Sequence, residues 1–102
     1  MTFGLKQENI EAINAVFAQY PAIEKVLIYG SRAKGDYCNG SDIDLVIVES
    51  GLSFSEQMEI ETRTDDLLLP YKVDLVRQRQ VSNPDLLEHI RRVGNIFYQK
   101  AL

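Results

Sequence analysis

Two aspartates stand at the start of an apolar run and are the residues in this chain best suited to chemistry. Asp42 and Asp44 lead into Leu45-Val46-Ile47-Val48, and a β-strand here would direct both carboxylates to one face, about 6.6 Å apart at their Cα atoms. Like charges in a poorly solvated site repel, so one carboxylate tends to take up a proton. A divalent cation removes the conflict, and Mg²⁺ prefers carboxylates together with phosphate oxygens and water. The pair therefore predicts a metal site for phosphoryl chemistry.

A polar, glycine-containing loop precedes this strand. It follows the apolar run Val26-Leu27-Ile28-Tyr29, so we expect a strand on each side of the loop. If the two strands are antiparallel neighbours, Gly30 and Ser31 come close to Asp42 and Asp44. Gly30 has no Cβ to obstruct a phosphate, Ser31 offers a hydroxyl, and a helical turn beginning near Ser31 would add free N–H groups. The loop therefore predicts a phosphate site opposite the carboxylates.

A third aspartate interrupts a later apolar run. Asp74 lies within the strand-like segment from Tyr71 to Val76. A strand, helix, strand crossover would make this strand parallel to the one that begins at Asp42 and would bring Asp74 level with Asp44. Because a charge in a central strand is costly without a partner, we expect Asp74 to join the other two aspartates. By alternation, its neighbours Val73 and Leu75 point into the core.

The remaining patterns predict helices around a small sheet. Helices are expected from Leu5 to Tyr20, from a capping box of Ser53 and Glu56 to about Leu68, and from Asn83 to Gly94 with Leu86, Leu87, Ile90 and Val93 buried. Strands are expected from Glu24 or Lys25 to Tyr29 and from Asp42 to Glu49, and Ile96-Phe97-Tyr98 is either a short strand or a tail. The fold class is therefore α/β (α+β), with a small mixed sheet of three or four strands and about three helices, in one domain over residues 1–102.

Composition narrows the class of protein. The hydrophobic share of 45% and charged share of 25% are ordinary for a globular chain, and the net charge of −4 argues against strong binding of free nucleic acid. One cysteine, Cys38, excludes an internal disulfide, and with one histidine, His89, a Cys/His zinc cluster cannot form; we interpret both as structural or exposed. No apolar stretch is long enough for a membrane span, and a cytoplasmic location is expected.

The loop and the three aspartates together resemble the signature of nucleotidyltransferases related to DNA polymerase β. That signature has Gly-Ser, a spacer, Asp-x-Asp and a third Asp on a later strand; here ten residues separate Ser31 from Asp42, and Asp74 follows in the expected order. The Gly-Ser-Arg-x-x-Gly form at 30–35 and the short length are similar to minimal nucleotidyltransferase (MNT) proteins. Those are usually the antitoxins of HEPN/MNT toxin–antitoxin pairs, with MntA-type adenylyltransferases as active members.

This resemblance implies the nucleotidyltransferase fold and a reaction. It implies transfer of AMP from ATP to an acceptor hydroxyl, with two Mg²⁺ ions held by Asp42, Asp44 and Asp74 and with Asp74 helping to deprotonate the acceptor. Gly30 and Ser31 would seat the nucleotide phosphates. The implied partner is a HEPN-domain toxin modified on a tyrosine, in a hetero-oligomer, because the chain leaves no length for an acceptor-binding domain of its own.

Several residues carry alternatives. Arg32 and Lys34 either contact nucleotide phosphates or are solvated, and Asp36 is a turn residue or an additional acid. Ser41 either only precedes the strand or offers its hydroxyl to the site. The acids between Glu56 and Asp66 form either an ordinary solvated helix face or a docking surface. Four arginines are either scattered surface charge or a small basic patch: Arg77, Arg79, Arg91 and Arg92. The competing functions are an antitoxin that acts by docking alone and a transferase for a small molecule.

Overall fold

The computed structural model describes residues 2–38 and 40–101, and within these residues the chain forms four α-helices and four strands. The helices are α1 (Gln7–Phe17), α2 (Gly30–Lys34), α3 (Phe54–Asp65) and α4 (Pro84–Val93). The strands are β1 (Ile23–Tyr29), β2 (Ile43–Glu49), β3 (Val73–Arg77) and β4 (Asn95–Gln99). The predicted fold class is confirmed, and α2 is a short helix within the motif loop.

The strands form one mixed sheet in the order β3-β2-β1-β4. β1 pairs antiparallel with β2 and with β4, while β2 and β3 are parallel and joined through α3. The predicted crossover is therefore correct, and the segment at Ile96, left open by its sequence, is strand β4. This order places β2 inside the sheet and β3 at one edge, so the expectation that Asp74 lies in a central strand is wrong.

Helices cover both faces of the sheet. Ile13 and Phe17 of α1 and Ile60 of α3 are fully buried on the face that holds the main core, together with Ile43 and Leu45 of β2. Val46 is fully buried on the opposite face, where α4 packs against β1. A strand that is apolar on both faces is expected when helices cover both sides, and this explains why β2 carries the consecutive buried residues 45–47.

The predicted boundaries hold to within a few residues, with two corrections. α3 ends at Asp65 instead of near Leu68, because the chain turns toward β3 through Leu68, whose φ is +53°. In α4, Ile90 is buried but Leu87 is exposed, so the predicted apolar stripe is only partly covered. Within residues 2–38 and 40–101, no helix has both the length and the apolar composition needed to cross a bilayer.

The connection from β2 to α3 is closed by the predicted capping box. The Ser53 hydroxyl accepts from the Glu56 N–H at 3.0 Å, and the Glu56 carboxylate accepts from the Ser53 N–H at 3.1 Å. These bonds satisfy donors that have no partner within the helix. They fix the start of the helix that carries the chain from β2 across to β3.

Replacing Ser53 with alanine tests how much this cap contributes. We expect Ser53→Ala to lower the free energy of unfolding by about 1 kcal/mol, because the N–H of Glu56 loses its acceptor. Urea denaturation measures the change. Ser55→Ala, an exposed serine in the first turn of the same helix, is the matched control; an equal loss in both variants would contradict a capping role.

Candidate active site

Strand register brings two of the three predicted aspartates side by side. Asp44 of β2 pairs with Asp74 of β3 in the parallel ladder, and Asp44 also lies opposite Tyr29, the last residue of β1. Directly paired residues point to the same face of a sheet. The prediction that Asp74 lies level with Asp44 is therefore confirmed. Both carboxylates are partly exposed, so a ligand can reach them from solvent.

The two carboxylates repel each other. Burial raises the pKa of Asp44, and the nearby charges of Asp74 and Asp42 raise it further, as does a hydrogen bond that its protonated form can share with Asp74. One neighbouring cation, the Lys72 ammonium, lies 3.6 Å from Oδ1 of Asp74. A carboxylate held beside a like charge is the electrostatic condition in which a divalent cation binds favourably.

Asp42 lies outside the two paired strands that carry Asp44 and Asp74. It is exposed and stands just before β2 begins at Ile43. Among residues 2–38 and 40–101, no three acidic, histidine or cysteine side chains are already arranged as a metal site. The donor set nevertheless fits Mg²⁺, since it consists of carboxylate oxygens, and the charge of Asp42 is near enough to act on Asp44.

Gly30 forms the wall opposite the carboxylates. Its φ of +75° is one that side chains rarely adopt, and a Cβ at this position would collide with Oδ2 of Asp44. Its N–H donates to Nε2 of His89 at 3.2 Å. Ser31 follows directly in α2, so the predicted helical turn is present and begins one residue earlier, at Gly30. The structure therefore places Gly30 beside Asp44, with Ser31 as the next residue of α2.

Arg32 does not lie as a free cation in the site. Its side chain is buried, with Nε and Nη2 donating to the Ser41 carbonyl and Nη1 donating to the Phe3 carbonyl. The guanidinium also lies 5.2 Å from the ring centre of Tyr37 and 4.8 Å from that of Tyr71. These contacts favour a structural role, in which Arg32 holds the motif loop closed, over the predicted contact with nucleotide phosphates.

The other charges of the loop also pair within the protein. Lys34 lies 3.5 Å from Asp36, and both side chains are exposed. The Ser41 hydroxyl accepts from the Cys38 N–H at 2.9 Å, which stabilises the loop before β2. These contacts support the turn and solvated interpretations over direct roles in the site.

The four arginines weighed as a basic patch are mostly engaged elsewhere. Arg79 pairs with Glu49, Arg91 pairs with Glu88, and Arg77 donates to the Leu52 carbonyl at 3.1 Å. Scattered surface charge is therefore the better description.

Sequence reasoning missed Tyr29 and His89. The rings of these two residues meet edge to face, with centres 6.2 Å apart. Burial raises the pKa of the Tyr29 hydroxyl, and the charges of Asp44 and Asp74 raise it further, so this phenol stays protonated beside the carboxylates. His89 follows Gly30 by 59 positions and belongs to another helix. No local spacing in the sequence could reveal that His89 contacts Gly30, because the packing of α4 on β1 brings the two residues together.

A small mixed sheet with paired aspartates beside a Gly-Ser turn is the arrangement expected of a nucleotidyltransferase. Residues 11–101 match the polymerase beta nucleotidyltransferase family, and the chain belongs to that family. It is also 30% identical over 97 residues to a Haemophilus influenzae protein named probable protein adenylyltransferase MntA, covering 94% of this chain and 84% of that protein.

Two solved structures share the fold. One is a toxin–antitoxin crystal structure with AMP-PNP, which matches with a TM-score of 0.69 and 21% identity over 94% of this chain and 75% of the other. The second contains a tri-AMPylated HEPN toxin from Shewanella oneidensis in complex with an MNT antitoxin, and matches with a TM-score of 0.67 and 19% identity over 94% and 74% of the two chains. At these identities the likeness establishes the fold alone.

Removing the charge of Asp44 should stabilise the metal-free protein. The raised pKa of Asp44 means that its ionisation costs stability as pH rises from the ordinary value of 3.8 through the raised value. In EDTA at pH 7.5 we expect Asp44→Asn to raise Tm by about 2–4 °C, a modest figure because solvent screens the pair. The gain should shrink as pH falls toward 4 and Asp44 becomes protonated.

Thermal denaturation at both pH values measures this effect. Asp36→Asn removes an exposed loop charge and serves as the control, with little expected change at either pH. A lower Tm for Asp44→Asn at pH 7.5 would show that the carboxylates do not repel each other.

Arg32→Met separates the structural role from the nucleotide-binding role. Loss of the bonds to Ser41 and Phe3 should lower the free energy of unfolding by about 2–4 kcal/mol. Lys34→Met, two residues along the same helix and exposed, should leave it nearly unchanged. If Arg32 instead served mainly as a phosphate ligand, both variants would be equally stable in urea and only nucleotide affinity would fall.

Proposed function

We propose that this protein is a Mg²⁺-dependent nucleotidyltransferase that moves AMP from ATP to a tyrosine hydroxyl of a HEPN-domain toxin. The observation that carries the proposal is the level pairing of Asp44 with Asp74 beside Gly30, at a position where a Cβ would collide with Asp44. Family membership supplies the reaction class. The similarity to a protein named as an adenylyltransferase supports ATP as the donor and a protein as the acceptor.

The carboxylates would hold two Mg²⁺ ions, with Asp42 and Asp44 contributing to both and Asp74 to one. When bound, Mg²⁺ neutralises the charge that develops around the α-phosphate. Gly30 lets the triphosphate approach the backbone, and the Ser31 hydroxyl is the donor available to its terminal phosphates. The like charges of Asp44 and Asp74, which raise the pKa of Asp44, would favour binding of a cation beside them.

The acceptor oxygen attacks the α-phosphorus, and the bond from that phosphorus to the bridging oxygen breaks. A phosphoester to AMP forms and pyrophosphate leaves, so the step needs no other reactant. Asp74 takes the proton of the acceptor hydroxyl on a carboxylate oxygen. Positioning and charge stabilisation account for most of the catalysis in such a transfer.

The location of the pair suits an acceptor that comes from another protein. Asp74 lies on the edge strand β3, and its side chain is 41% exposed. A tyrosine carried on a partner's surface could therefore approach from the open side of the sheet. The toxin complexes among the structural neighbours support a HEPN partner, because one of those toxins carries AMP.

A second candidate function is neutralisation by docking alone. The outer face of α3 exposes Phe54 (66%) and Met58 (40%) near Arg63 and Glu59. Exposed aromatic and methionine side chains are typical of protein interfaces. This feature supports a binding role, although an antitoxin that only binds has no need of the aspartate pair.

The Asp42→Asn/Asp44→Asn double variant distinguishes the two functions. With labelled ATP and Mg²⁺, we expect the wild-type protein to transfer label to a co-expressed HEPN partner and the variant to transfer less than about one hundredth as much, because the cations lose their ligands. Circular dichroism should show the same fold in both proteins. Label transfer that survives the double substitution would refute the assigned roles.

Protection of cells from the toxin gives the second readout. A variant that transfers no label and still protects would favour docking. Asp36→Asn, which changes a loop carboxylate outside the pair, is the control for both measurements.

A further inference from the structure

The contact between Gly30 and His89 lies at the point where β1 becomes α2. The Gly30 N–H has left the strand ladder, whose last pair is Tyr29 with Asp44. A buried or half-buried N–H without an acceptor is costly, and here the acceptor is a side chain, Nε2 of His89 at 3.2 Å. This interaction joins α4 to the residue that lies against the Asp44 carboxylate.

The conformational freedom of glycine makes the contact with His89 important for the orientation of this peptide. With φ of +75°, Gly30 has a conformation that its own sterics do not enforce, because glycine adopts positive and negative φ with similar ease. The peptide between Tyr29 and Gly30 therefore needs an outside contact to fix its orientation. The bond from its N–H to His89 supplies that contact and directs the N–H toward α4.

The alternative orientation would harm the site. Oδ2 of Asp44 lies against Gly30, and a carboxylate is a stronger acceptor for an N–H than a neutral imidazole. A Gly30 N–H turned toward that carboxylate would occupy an oxygen that a cation needs. It would also turn the peptide that leads into Ser31.

His89 is itself held in place. Its ring meets the Tyr29 ring edge to face, and the adjacent Ile90 anchors α4 in the protein interior at 4% exposure. The helix begins at a cap in which the Asn83 side chain accepts from the Asp85 N–H at 2.9 Å.

We propose that His89 is a positioning residue of the nucleotidyltransferase: it holds the Gly30 peptide away from the Asp44 carboxylate so that cation and triphosphate can bind there. This role rests on the proposed function, since it assumes that the nucleotide binds between Gly30 and the carboxylates. His89 acts through Gly30 and makes no contact with the reacting atoms.

Two substitutions at this position test the role. His89→Phe keeps a ring against Tyr29 and removes the acceptor, whereas His89→Gln supplies an acceptor oxygen at similar reach. Titration calorimetry with a non-hydrolysable ATP analogue and Mg²⁺ measures binding. We expect His89→Phe to weaken binding about tenfold, the effect of losing one fixed hydrogen bond, and His89→Gln to restore it to within about threefold of wild type.

The ¹H–¹⁵N resonance of the Gly30 amide in the nucleotide-free protein is the second readout. It should shift in His89→Phe and return toward the wild-type position in His89→Gln. Thermal denaturation accompanies both measurements, because a purely structural role would lower Tm in His89→Phe without rescue of affinity by glutamine. Unchanged binding by His89→Phe, equal defects in both variants, or an unmoved Gly30 resonance would each overturn the proposal.

The outcome also separates this role from the proposed function. If the wild-type protein and His89→Phe bind the analogue with the same affinity, His89 has no part in the mechanism, and the proposed function still stands. Wild-type protein that binds no analogue would overturn the function. The Gly30 resonance would then decide separately whether His89 fixes this peptide.

Discussion

Repulsion between two carboxylates held level on neighbouring strands is the constraint around which this protein is built. The parallel register of β2 and β3 sets Asp44 against Asp74, and the strands cannot slip to separate them because a shift of one residue would turn Ile43 and Leu45 out of the core. The hydrophobic core therefore maintains an arrangement that is unfavourable in itself. Any cation that binds here would find the two charges already brought together by the fold.

The elements around Asp44 and Asp74 constrain the positions of these two residues from different sides. α3 carries the chain over the core to make β2 and β3 parallel, while the buried Arg32 ties the motif loop to the carbonyls of Ser41 and Phe3. α4 reaches the site from the other face through His89. The candidate site is thus built from strand ends and one loop, and the Asp74 side chain at its edge is partly exposed.

Much of the fold and part of the site could be predicted from local patterns. Continuous apolar runs located the strands, the Ser53 and Glu56 spacing located the start of α3, and the crossover implied that Asp74 lies level with Asp44. These three predictions succeed because each depends on residues close in the chain or on the strong handedness of a strand, helix, strand unit. The helix boundaries were less accurate, since helix ends depend on where the chain must turn.

The sequence by itself determined the class of chemistry: Gly30, Ser31 and the three aspartates are residue types whose order and spacing suit phosphate and cation binding. Tertiary structure alone decided where the side chains of Arg32 and His89 lie relative to the candidate site. It buried Arg32 between tyrosine rings and carbonyls, and it brought His89 to Gly30 across 59 positions. Such contacts depend on how a helix packs on a distant strand, and side-chain packing of that kind leaves no regular spacing in the chain.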